Sequence, residues 1–257
     1  MGDLSQEILD EATRAWAPAA RFFEVCDSTN RIAWEWAEEG APEGCLVVAD
    51  QQTAGRGRVG RSWFSVPGGS LLLSVVLRPQ LPGEYLGLVG IAAGVAVARA
   101  LGQVGVGARL KWPNDVVLGG RKVAGVLAES RSGPGGFVIL GVGINVAMPS
   151  EQIPPELRDE ATSLAAEGAR VNRVELLVAF LGHFGRLYVG TSIRKPEAVL
   201  EDYRSLCDTL GRQVRVVVGD AELRGVAVDL TPQGALMLDT GEVVWGGDVL
   251  LVRAEDA

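Results

Sequence analysis

Two apolar runs, Cys45–Ala49 and Ser70–Leu77, bracket a stretch, Gly55–Ser65, that holds three glycines, three arginines and two aromatics. The spacing Gly55-x-Gly57-x-x-Gly60 fits a dinucleotide-binding βαβ unit. That unit needs a helix opening directly after the glycines, because the helix N-terminus receives the pyrophosphate. Here the glycines lead through Arg61-Ser62-Trp63-Phe64-Ser65-Val66-Pro67-Gly68-Gly69 into a second apolar run that reads as a buried strand. Strand–loop–strand leaves no helix N-terminus, so the dinucleotide fold is rejected. What stays is a flexible loop suited to cradling an anion.

The loop is also electrically distinct. No acidic residue occurs between Gln51 and Gly83, although the chain carries a net charge of -8. A positive loop on a negative protein calls for one specific anion rather than broad surface attraction. Glycines let backbone N–H groups come close to that anion. Arginines add rigid forks of donors that match phosphate or carboxylate oxygens. A surface turn with solvated arginines is the competing reading, and the two core-like flanking strands argue against it.

A chain of 257 residues can hold one large domain, or one plus a small one. The acidic balance argues against a general nucleic-acid or membrane surface. No continuous apolar run reaches the ~20 residues of a membrane span. Met1–Trp16 is polar and acidic, unlike a signal peptide. Cys26, Cys45 and Cys207 form no close pair, which suggests neither a disulfide framework nor a zinc site and points to the reducing cytoplasm.

Apolar spacing predicts a helix over 5–16, a strand over 22–25 and a helix running from 31 to Gly40. The stretch Asp27-Ser28-Thr29-Asn30 consists of preferred N-caps and, taken alone, reads as that helix's start; free N–H groups there also suit polar ligand atoms. Residues 85–101 read as a core helix rich in glycine and alanine. A strand over 106–110 precedes the turn Lys111-Trp112-Pro113-Asn114-Asp115, and Gly119-Gly120-Arg121 turns a hairpin between strands 116–118 and 122–129. Lys122 starts that second strand as either an anion contact or a solvated strand end; spacing leaves both open. In the strand over 137–146, Gly141-x-Gly143 admits close approach by backbone or ligand. Asn172-x-x-Glu175 reads as a capping box for a helix over 173–188, and Pro196 opens a helix to about 206. The only histidine, His183, lies in the former helix and is given no role. From Gly211 five short strands separated by turn residues read as a small β-barrel.

Taken together, these motifs have a family likeness. Asp27-Ser28-Thr29-Asn30, Gln52 through Trp63, Lys111 through Asp115, Arg121-Lys122-Val123-Ala124-Gly125 and Gly141 through Asn145 resemble biotin–protein ligase in order and spacing. Gln233–Leu238 and Gly246-Gly247-Asp248-Val249 resemble that family's SH3-like domain. The resemblance implies an α+β fold. A mixed central sheet packed by helices, like the class II aminoacyl-tRNA synthetase catalytic domain, would span 1–208, with the SH3-like barrel over 209–257. Some members carry an N-terminal DNA-binding domain and act as repressors. The few residues before the first motif leave no room for a helix-turn-helix, so a ligase-only member with no DNA partner is expected.

The resemblance also implies an activity. Biotin and Mg2+-ATP would give biotinyl-5′-AMP, and biotin would then pass to a lysine of a biotin carboxyl carrier protein, the acetyl-CoA carboxylase subunit. Lys122, Arg58 and Asp115 would be catalytic. Ser28, Thr29, Asn30, Gln52, Arg56, Gly57, Arg58, Lys122 and Gly125 would bind biotin. Arg58, Arg61, Trp63, Asn114, Lys122 and Asn145 would bind the nucleotide, with Trp63 stacking on adenine or on the biotin tail. The glycine-rich loop would be mobile when empty and ordered by ligand. The metal ligands are left unassigned, no membrane partner is expected, and a homodimer is compatible with the family. Two mutually repelling acids must meet, and fixed cations between them answer that demand without a covalent nucleophile on the protein. A lipoate–protein ligase is the nearest alternative enzyme, and a biotin-responsive repressor the alternative from another class. The first lacks its glycine-rich, histidine-containing signature here, and the second lacks its DNA-binding domain.

Overall fold

The computed structural model describes residues 3–188 and 196–251. Helix α1 (Gln6–Thr13) is capped by Ser5, whose hydroxyl accepts from the Ile8 N–H. It ends short of Trp16. The predicted strands and helices then follow in order: β1 (Ala20–Cys26), α2 (Thr29–Glu38), β2 (Leu46–Gln52), a hairpin of β3 (Gly55–Arg56) and β4 (Ser62–Trp63), β5 (Ser70–Leu77), α3 (Gly87–Gln103), β6 (Arg109–Lys111), β7 (Asp115–Leu118), β8 (Arg121–Arg131), β9 (Phe137–Asn145), α4 (Arg173–Tyr188) and α5 (Pro196–Leu206).

Seven of these strands make one mixed sheet in the order β1-β2-β5-β9-β8-β7-β6. Only β1 and β2 run parallel. Every residue of β5 is buried, which fits its unbroken apolar run and its place between β2 and β9. Two layers flank the sheet. Helix α2 packs Ala33 and Ala37 with Val47, Val76 and Ile139 on one face. On the other, α3 is almost wholly buried and packs against α4 and α5. The segment Gly83–Gln103 is apolar enough in length and composition for a membrane span, but 67% of its most apolar window is buried inside the protein. It is the central core helix, as its glycines and alanines suggested.

The remaining strands, β10 (Gln213–Val218), β11 (Ala221–Leu230), β12 (Leu236–Leu238), β13 (Val243–Val244) and β14 (Asp248–Leu251), form a five-stranded antiparallel sheet. Its apolar side joins the main core through Val214, Ala227 and Leu236. Trp112, 2% exposed, ties the two sheets: its backbone N–H donates to Thr209 Oγ1 at 2.9 Å and its indole N–H to the Gly234 carbonyl at 3.0 Å.

Local expectations needed correction at several points. Strand β6 begins at Arg109 rather than Val106, because Gly105 has φ +82° and turns the chain first. The Asn172 cap forms through its Oδ1, which accepts from Val174 and Glu175 N–H. The Gly/Arg stretch, read as a loop, contains a short hairpin, with Gly55 opposite Trp63 and Arg56 opposite Ser62. At its tip Val59 has φ +53°, a left-handed conformation unfavourable for a β-branched residue. Asp27-Ser28 does start α2, but the Ser28 side chain makes no capping bond. Asp27 instead accepts from the Ser28 N–H and pairs with Arg31.

Candidate active site

The sheet order brings together segments far apart in sequence. The first turn of α2, the end of β2, the β3–β4 hairpin, the β6–β7 turn and the middles of β8 and β9 line one cleft. It encloses about 480 Å³ of empty space, its open mouth included. Ser28, Thr29, Asn30, Gln52, Arg56, Gly57, Arg58, Trp63, Asn114, Lys122 and Gly125 all line it. Lys122 and Arg58 thus share a cleft, as the electrostatic reading required.

At one end polar side chains meet the sheet. Gln52 Oε1 accepts from the Thr29 N–H at 2.7 Å and lies 3.0 Å from Thr29 Oγ1. Ser65 brackets Gln52: the Ser65 hydroxyl donates to the Gln52 carbonyl at 3.2 Å and accepts from its N–H at 3.1 Å. Asn30 Nδ2 donates to Glu129 Oε2 at 2.7 Å, and Asn30 Oδ1 lies 2.6 Å from Ser74 Oγ. Ser74 and Glu129 were not among the sequence candidates. The readable signal for Ser74 is a hydroxyl flanked on both sides by three apolar residues, where it needs a partner.

At the other end lie the cations. Lys122 Nζ sits 2.6 Å from Asp115 Oδ1 and 5.4 Å from the centre of the Trp63 ring. The Lys122 backbone is pinned by the 160–162 segment: its N–H donates to the Glu160 carbonyl at 2.7 Å and its carbonyl accepts from the Thr162 N–H at 2.8 Å. Arg58 Nη1 donates to Asn114 Oδ1 at 3.2 Å, and among the described residues it has no carboxylate within ion-pair reach. Burial holds its guanidinium below the ordinary value, opposed by Asp115 and Asp248 and assisted by Arg61. A desolvated cation with no anion beside it is a ready anion site. Arg56 faces Glu129 at 3.8 Å, and Arg61 reaches out of the cleft to Asp248 of the small sheet at 2.5 Å.

The floor is bare backbone. Gly125 of β8 pairs with Gly143 of β9. The Trp63 indole lies over both, so that a Cβ on either glycine would stand 2.7–2.9 Å from the ring. The indole N–H is buried there without a partner. A Cβ on Gly141 would collide with the Asn30 amide at 2.1 Å. Asn145 is placed differently from its assignment as a nucleotide ligand. It is 5% exposed, does not line the cleft, and its Nδ2 donates to the Thr162 carbonyl at 2.9 Å. His183 lies outside the cleft on α4, beside Gln103 and Arg186. The three cysteines are free and buried.

A mixed sheet whose cleft holds Lys122 and a carboxylate-free Arg58, joined to a small antiparallel sheet, is the arrangement expected of a carboxylate-activating ligase. Residues 22–145 match the Biotin/lipoate A/B protein ligase family and residues 209–252 the Biotin protein ligase C terminal domain. The Biotin--[acetyl-CoA-carboxylase] ligase of Mycobacterium tuberculosis is 36% identical over 237 residues, covering 88% of this chain and 86% of that protein. The Bifunctional ligase/repressor BirA of Bacillus subtilis is 34% identical over 225 residues, covering 86% of this chain and 69% of that protein. Among solved structures, the biotin protein ligase from Aquifex aeolicus in complex with biotin and ATP superposes with a TM-score of 0.76 at 30% identity, covering 92% of this chain and 100% of that one. The chain belongs to the biotin protein ligase family, and it is an enzyme of the biotin--[acetyl-CoA-carboxylase] ligase type.

Proposed function

We propose that this cleft carries out both half-reactions of biotin ligation. The biotin carboxylate attacks the α-phosphorus of ATP. The bond from that phosphorus to the bridging oxygen breaks, pyrophosphate leaves, and biotinyl-5′-AMP forms. The ε-amine of a carrier-protein lysine then attacks the acyl carbon, loses a proton and displaces AMP. The carrier is a biotin carboxyl carrier protein of the acetyl-CoA carboxylase type, in keeping with the names of the relatives.

The observation that carries this reading is the sharing of one cleft by Lys122, Arg58 and the Ser28–Asn30–Gln52 group. The ureido ring of biotin seats at the polar end, against Ser28, Thr29, Asn30 and Gln52. Its valeryl tail runs from there towards Lys122, with Arg56, Gly57 and Gly125 alongside and the Trp63 indole, already seated on Gly125 and Gly143, as a wall. Its carboxylate meets Lys122, which also faces the α-phosphate and so offsets the repulsion between the two acids. Arg58 and Asn114 take phosphate oxygens. Arg61 joins them after leaving Asp248. Asp115 orients the incoming lysine and takes up its proton. Positioning and fixed charge supply most of the acceleration.

Magnesium fits this site as part of the nucleotide. Among the described residues no group of three or more His, Cys, Asp or Glu side chains could cage a metal ion. Mg2+ that is coordinated mainly by substrate phosphates needs only one or two protein oxygens, which Asp115 and Asn114, beside Lys122 and Arg58, would supply. When bound, it neutralises charge on the phosphates. The test is biotin-dependent exchange of labelled pyrophosphate into ATP, with lipoate as the control. Exchange with biotin alone is expected, and equal exchange with lipoate would overturn the substrate assignment.

A further inference from the structure

The polar end of the cleft has fewer protons than short contacts. Three oxygen pairs stand at hydrogen-bond distance: Thr29 Oγ1 to Gln52 Oε1 at 3.0 Å, Ser74 Oγ to Thr29 Oγ1 at 2.8 Å and Ser74 Oγ to Asn30 Oδ1 at 2.6 Å. Only two hydroxyl protons, those of Thr29 and Ser74, are available to fill them. The allocation is decided from the far end of the chain. An ionised carboxylate accepts only, so Glu129 at 2.7 Å requires the NH2 side of Asn30 to face it. Asn30 Oδ1 then faces Ser74 and takes its proton. Ser74 in turn becomes an acceptor for Thr29, because of the two oxygen pairs left to share that proton theirs is the shorter, 2.8 Å against 3.0 Å, and would repel more without it. All donors point one way: Thr29 to Ser74 to Asn30 to Glu129. The Thr29 oxygen is left with lone pairs toward the cleft, while Gln52 keeps its NH2 as a donor.

We propose that Glu129 and the buried Ser74, acting through Asn30, fix Thr29 as the acceptor that reads a ureido N–H, and so select a cyclic urea over isosteres of reversed hydrogen-bond polarity. Neither residue needs to touch biotin; both are positioning residues. The chain explains three features together. A hydroxyl sits at 0% exposure in mid-strand, between the apolar runs Leu71–Leu73 and Val75–Leu77. An acid lies at the mouth of a site meant for an anionic substrate. Position 141 excludes any side chain, since a Cβ there would displace the Asn30 amide that links the two ends. The inference rests on the ureido seat proposed above.

The probes are biotin and its cyclic-carbamate analogue, in which a ring oxygen that only accepts replaces the ureido N–H facing Thr29. Pyrophosphate exchange is measured with the full-length enzyme and with Ser74→Ala and Glu129→Gln, each checked for folding by thermal melting. Ser74→Ala should raise the biotin KM about 10- to 100-fold, with the ATP KM within about twofold and kcat within about threefold of wild type. Glu129→Gln can donate where the acid accepts, so Asn30 can turn over and Thr29 can donate; the preference for biotin over the carbamate should fall about tenfold. The double variant should be hardly worse than Ser74→Ala, because both break one chain. Additive losses would place Glu129 outside it, acting through Arg56 instead, and overturn the proposal. Unchanged biotin KM and unchanged preference in both folded variants would also overturn it. Direct biotin binding without ATP gives an independent reading if one variant melts too low to assay. Thr29→Val separates the two levels. If it leaves the biotin KM unchanged, the ureido seat is wrong; if it raises that KM while Ser74→Ala and Glu129→Gln do not, only the chain is wrong.

Discussion

Replacing Lys122 by alanine tests the electrostatic core of the site. The ammonium is about one-third exposed and sits 2.6 Å from Asp115. Two unit charges about 4 Å apart in a partly screened protein site interact by about 4 kcal/mol. Only the part of that energy gained as charge builds on the α-phosphoryl oxygens speeds the reaction, and single preorganised donors of this kind contribute about 3–4 kcal/mol. Biotin-dependent pyrophosphate exchange should therefore fall about 10²- to 10³-fold. Transfer from preformed biotinyl-5′-AMP should fall by about tenfold or less, because the phosphoryl bond is already made. The substitution also leaves the Asp115 carboxylate without its cation, so Lys122→Ala/Asp115→Ala is the necessary companion. A double variant that regains adenylation would trace the loss to the orphaned acid. That result, or exchange within about threefold of wild type in folded Lys122→Ala, would refute the role given to the ammonium.

The other predictions are shorter. Arg58→Ala should speed release of bound biotinyl-5′-AMP about 10- to 100-fold in a stopped-flow chase, since a desolvated guanidinium without a carboxylate partner is then removed from the phosphate; an unchanged off-rate contradicts the phosphate contact. Asp115→Asn should slow transfer to the carrier more than adenylation, and equal losses in the two half-reactions would exclude its role toward the lysine. Val59→Asn relieves a β-branched residue at φ +53° and should raise the melting temperature of ligand-free enzyme by about 2–4 °C, for a gain of about 1 kcal/mol. Arg173, 3% exposed, pairs with Asp3 and Asp50. Burial pushes the Asp3 carboxyl up, but its bonds to Arg173 outweigh this and hold it below the usual value. The stabilisation is thus present above the ordinary carboxylate range and is lost as pH falls through the lowered value. Melting curves should show that loss on acidification in wild type. Arg173→Met should flatten it while costing about 3–5 kcal/mol at neutral pH.

Much of this was legible in the chain itself, for identifiable reasons. The Gly/Arg stretch could be read because its flanking runs were too apolar and too short to be anything but buried strands, and those strands became β2 and β5. The dinucleotide fold was excluded by the segment after Gly60, and that segment does lead into strands, β4 and then β5, with no helix between them. Many residues that gather at the cleft carry charge, lack side chains or belong to a helix-start cluster, and each of these stands out in a sequence. Ser74 and Glu129 escaped because their importance comes from cross-strand neighbours: Asn30 is 44 residues from one and 99 from the other. Asn145 shows the converse. It lies inside a motif, but its amide holds the loop at Thr162 instead of facing the cleft. The β6 boundary was lost to a turn glycine at Gly105, whose positive φ no periodicity count registers.

The paired glycines under Trp63 set a direction for change. Glycine is the smallest residue available, so substitution at Gly125 or Gly143 can only raise the trough's bed, never deepen it. Even a methyl group there would press on the indole, so a lineage that kept this scaffold would have to move Trp63 before it could add one. To accommodate a bulkier chain it would have to change the indole above, because the strands beneath have nothing left to give up.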